Sequence, residues 1–69
     1  MTQSPAIPLP PPAERRRLRE SQSLTQAQVA QRVGVSRGTV SAWETGRTTP
    51  RGRKAQKYAS LLASAPTPT

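Results

Sequence analysis

The 69-residue chain has no cysteine, histidine, phenylalanine or aspartate. Without Cys or His, the usual zinc and disulfide frameworks are absent, and no staple supports the core. The only carboxylate side chains are Glu14, Glu20 and Glu44, and none has a His, Cys or Asp beside it. Acid–base and nucleophilic catalysis need such groupings. The composition therefore argues against an enzyme, and no cofactor or metal is expected. Long apolar runs are missing too: none approaches the roughly 20 residues that a membrane span needs. Residues 1–12 lack the basic n-region and the h-region of a signal peptide. These absences fit a reducing cytoplasm. Large aliphatic residues are also scarce, with Ile, Leu and Val together numbering 10. A core that small offsets chain entropy only narrowly, so low stability is expected.

What is abundant is positive charge and proline. The chain has 11 Lys+Arg against 3 acidic residues, for a net charge of +8. Seven of its 8 prolines fall in residues 1–12 and 66–69, while every charged side chain lies between Glu14 and Lys57. The expected organisation is a disordered Pro-rich arm over 1–12, a basic folded domain over 13–64 and a disordered tail over 65–69. Proline removes donors and restricts φ, so the arm cannot be helical. Pro12 can still occupy a helix's first turn, where its missing N–H costs nothing. The excess of Arg over Lys, with abundant Ala and Pro, fits a GC-rich bacterial source.

Four helices are expected in the centre. The first runs from about Ala13 to Gln22 on strong helix formers, with Leu18 as its large apolar residue. The second opens on Thr25-Gln26-Ala27-Gln28, a capping box with Thr25 at N-cap and Gln28 at N3. Leu24 can staple to Val29, and Gly34 ends the helix as a C′ glycine. The third has Ser36 as N-cap and runs over Arg37–Thr45 until Gly46 stops it. The fourth carries Ala55, Tyr58, Ala59 and Leu62 as one apolar stripe. Ala30 is small enough to let the third helix cross closely over the second, Gly34 supplies the turn, and Val35, Val40 and Trp43 face inward. The outer face of the third helix then carries small or hydrogen-bonding side chains. Such a helix fits a major groove about 12 Å wide.

Residues 24–30, 33–41, 43–47 and Pro50 together resemble the Cro/repressor-type, xenobiotic-response-element family of helix-turn-helix proteins. The resemblance spans residues 13–64. It implies an all-α, compact four-helix lambda-repressor-like DNA-binding domain, with the fifth helix missing and disordered Pro-rich termini. The third helix would be the recognition helix. Ser36, Arg37, Gly38, Thr39 and Ser41 would face bases or adjacent phosphates, with Arg37 able to pair bidentately with guanine. Gln26 would meet phosphate or a base edge, and Arg47 and Arg51 would reach the backbone. Arg19 and Glu44 match a pair that in this family often bridges the first helix to the end of the third. Ala30, Gly34, Val40 and Trp43 would be structural.

Arg15, where the family usually has an apolar residue, is expected with Arg16 and Arg17 on a solvated face, as are Arg53, Lys54 and Lys57. The function implied is sequence-specific binding of double-stranded DNA by a small bacterial, phage or plasmid transcriptional regulator. It would act as a homodimer on DNA, in the cytoplasm and associated with the nucleoid. The alternative is a non-specific nucleic-acid-binding accessory, or an antitoxin-like component acting with a protein partner. A basic amphipathic peptide on anionic membranes is a weaker reading, because the fourth helix has few large apolar residues.

Overall fold

The computed structural model describes residues 9–65, and those residues form four helices and no strand. Helix α1 spans Pro12–Ser21, α2 Gln26–Val33, α3 Arg37–Thr45 and α4 Gly52–Ala63. The first helix starts one residue earlier than its formers suggest, because Pro12 takes the N1 place that proline tolerates. The Thr25 capping box is complete: Gln28 N–H donates to Thr25 Oγ1 and Thr25 N–H donates to Gln28 Oε1. Ser36 caps α3 by accepting from the Thr39 amide.

Two glycines make the helix-turn-helix. Gly34 closes α2 at φ +87°, a left-handed conformation that other residues adopt at a cost. Its amide and that of Val35 both donate to the Ala30 carbonyl, which folds the chain back at once into α3. Gly46 ends α3 at φ +79°, and Pro12 packs so close that a Cβ there would sit 3.3 Å from the proline Cγ. Lys54 in α4 donates to the Gly34 carbonyl, so the turn is also held from outside.

The core is a single cluster of Leu24, Val29, Ala30, Val33, Val40, Trp43, Tyr58 and Leu62. Within it Trp43 and Tyr58 pack together, with ring centroids 4.6 Å apart and planes tilted by 41°. Burial pushes the Tyr58 phenol up to about 12. Leu18, Val35 and Leu61 pack on the edge of this cluster.

Of the arm expected over residues 1–12, residues 1–8 lie outside the described part. Within it, Leu9 packs against the core and the Pro10 carbonyl accepts a 2.7 Å hydrogen bond from Arg15 Nε. The tail beyond Ala65 likewise lies outside the described residues.

Candidate nucleic-acid interface

A groove of about 960 Å³ opens between the end of α1, the start of α2 and one side of α3. Its α3 wall is Arg37, Ser41 and Thr45, four residues apart and therefore one stripe, with Glu44 beside them. Its α2 wall is Thr25, Gln26 and Ala27. The capping box engages the amides of Thr25 and Gln28. The amides of Gln26 and Ala27 belong to the first helical turn, where no intrahelical acceptor exists. They therefore present two N–H donors and the positive end of the α2 dipole beside the α3 stripe.

The groove is braced from below. Glu44 is almost fully buried, and it accepts from Arg19 Nε at 2.6 Å and Arg19 Nη2 at 3.1 Å. Arg19 Nη1 donates to the Leu24 carbonyl at 2.8 Å. This bidentate contact is the main reason the Arg19 guanidinium holds its proton more firmly than usual. Glu44 Oε1 also accepts from Gln26 Nε2 at 3.1 Å. One carboxylate therefore ties α1, α2 and α3 together and fixes the angle between the two walls. One N–H of Gln26 is engaged inside the protein; its second N–H and its carbonyl remain for a ligand.

The other sequence-nominated residues fall in different places. Ser36, Arg37 and Gly38 are exposed at the start of α3. Thr39 is half-buried, and its hydroxyl shares a 2.9 Å hydrogen bond with Ser36 Oγ, so it reinforces the cap. Arg47 is exposed just past α3, and Arg51 is exposed at the N-cap of α4 without a side-chain cap bond. Neither lines the groove. Thr45 does, although its type drew no attention in the sequence; its spacing from Arg37 and Ser41 is the signal that could have found it. Ala30, Val40 and Trp43 are buried as the crossing requires.

Arg15 is not on a solvated face. It is 8% exposed, and its Nη1 donates to the Trp43 carbonyl at 2.9 Å, near the negative end of α3. A long guanidinium reaches over the surface to a carbonyl, which helical spacing alone does not reveal. Arg16 pairs with Glu20, and Arg17 with Glu14, on the exposed side of α1. The Arg17 guanidinium hydrogen-bonded to Glu14 holds that carboxyl below the ordinary carboxylate range. All three carboxylates are thus engaged by α1 arginines. Arg32, Arg37, Arg47, Arg51, Arg53 and Lys57 meet none of the described carboxylates. The available positive charge therefore lies on α2, α3, α4 and the loop before α4.

A family model described as Helix-turn-helix matches residues 16–67. The chain belongs to the Cro/repressor-type helix-turn-helix family. It is a DNA-binding helix-turn-helix domain, of a family not typically enzymatic. No curated protein and no solved structure matches it. Among the described residues of the domain, no group of three His, Cys, Asp or Glu side chains stands together to hold a metal. No described helix is long and apolar enough to cross a membrane.

Proposed function

We propose that this helix-turn-helix domain binds double-stranded DNA sequence-specifically, as a small bacterial, phage or plasmid transcriptional regulator of the cytoplasm and nucleoid. Helix α3 lies in the major groove. Arg37 reads guanine through O6 and N7, and Ser41 and Thr45 contact bases or sugars further along the same stripe. The free amides of Gln26 and Ala27 take a phosphate that fixes the register. Arg47 and Arg51 add contacts to the backbone. Two copies occupy adjacent half-sites about 34 Å apart. The observation that carries this reading is Arg37 itself. It shares one groove with Ser41, Thr45 and the start of α2, and no described carboxylate neutralises it.

The test is selection of bound duplexes from a random pool, followed by titration of the selected and of random DNA. Arg37→Ala should weaken the selected duplex far more than random DNA, and the motif should show two-fold symmetry. Equal weakening of both would remove α3 as the reader. The charge outside the groove supports a second reading, a sequence-independent nucleic-acid accessory. If 4–6 phosphates are neutralised, log K should fall against log salt with a slope of about −4 to −5 on either reading. A pool that returns no motif favours the second.

A further inference from the structure

A second concavity, of about 490 Å³, lies between the C-terminal end of α2 and α4. Arg32, Val33, Lys57, Ser60 and Leu61 line it, and it shares no residue with the α2–α3 groove. Leu61 is half-buried and supplies apolar surface to the wall, while Val33 lies behind it in the core. Arg32 and Lys57 are exposed and meet none of the described carboxylates. The wall is also pre-formed, because the Leu61 carbonyl accepts a 2.8 Å hydrogen bond from Gln22 of α1. Preorganised walls lower the ordering cost of binding.

Apolar surface beside uncompensated cations selects the chemistry of an occupant. A nucleic-acid backbone would use the cations and leave Leu61 wet. A second copy of the chain carries the same +8 charge and the same cations, so like charges would meet. A segment with apolar side chains flanked by carboxylates satisfies both parts. We propose that the α2–α4 groove docks an acidic amphipathic segment of another protein. Apolar side chains of that segment lie on Leu61, and its carboxylates meet Arg32 and Lys57. The α2–α3 groove stays open meanwhile. This assignment does not depend on what α3 reads.

The full chain, isotope-labelled for NMR, is titrated with a synthetic amphipathic helix of about 15 residues bearing Leu on one face and Glu beside it. Amide shifts should concentrate at Arg32, Val33, Lys57 and Leu61. A peptide with Gln for every Glu should bind about tenfold more weakly or worse. Lys57→Glu alters an exposed residue, so the fold should persist, and it should weaken the acidic peptide about tenfold, well beyond its effect on duplex affinity. Arg32→Glu repeats the test from α2. Shifts centred on Arg37–Thr45, no shift at millimolar peptide, or unchanged affinity in both variants would overturn the proposal. So would sedimentation showing a dimer that Lys57→Glu dissolves, or a loss of duplex affinity in Lys57→Glu as large as the loss of peptide affinity.

Discussion

Helix α1 carries four arginines, and the stretch from Arg37 to Arg53 carries four more. The two sets have opposite fates. Arg15 and Arg19 are buried and hold carbonyls and Glu44, while Arg16 and Arg17 face Glu20 and Glu14. Arg37, Arg47, Arg51 and Arg53 are exposed and meet no described carboxylate. The density of arginine in the sequence peaks in α1, yet the charge available to a polyanion lies elsewhere. The lesson is that an interface is located by where the neutralising groups sit, not by where the cations are most numerous.

The sharpest way to break this comparison is Arg19→Ala. It leaves Glu44 buried without its main partner, a loss of about 3–5 kcal/mol. That matches what a core of this size supplies altogether, so urea unfolding followed by circular dichroism should find little folded protein. A stable Arg19→Ala variant would place α1 with the exposed set. A pH scan strains the same interior. The Tyr58 phenol is raised to about 12 when folded, against about 10 when unfolded. Its contribution is complete below pH 10 and is lost as pH climbs towards 12, because the unfolded chain releases its proton first. Ultraviolet absorbance should show little phenolate until the protein unfolds.

Arg37→Ala should reverse the pattern. Thermal stability should stay within about 0.5 kcal/mol, the usual range for a surface change. Discrimination between the selected and a substituted duplex should fall by about 1–3 kcal/mol in a competition titration. Arg47→Ala should weaken all duplexes alike and reduce the magnitude of the salt slope by about 1, as removal of one phosphate contact does. The smallest effect belongs to Arg16→Ala. Its pair with Glu20 is exposed, so stability should change by no more than about 1 kcal/mol and filter-binding affinity should barely move. A large loss of DNA affinity there would blur the division between the two sets.

Much of the fold was legible because local signals agreed. Thr25 with Gln28, Ser36, Gly34 and Gly46 each mark a helix end through their own chemistry, and the observed ends of α2 and α3 fall at those residues. The apolar stripe of α4 announced its buried face. The candidate site offers a helix that the sequence marks clearly and side chains that it marks less well. Ser36 and Thr39 have the same small hydroxyl character as Ser41, yet they turn to each other and to the backbone at the cap. Nothing in the residue type separates those uses. Arg15 was hidden for another reason: its acceptors are the carbonyls of Pro10 and Trp43, and carbonyls leave no mark in a sequence.

That guanidinium grips the incoming segment and the exit of α3 at once, while Pro12 lies against Gly46. A tug on Leu9 and Pro10 is thus delivered to the last turn of α3 rather than dissipated along a slack leash. Any tag, fusion or trimming that spares Leu9 and Pro10 leaves this hitch fastened; one that cuts behind them unfastens it at the end of α3.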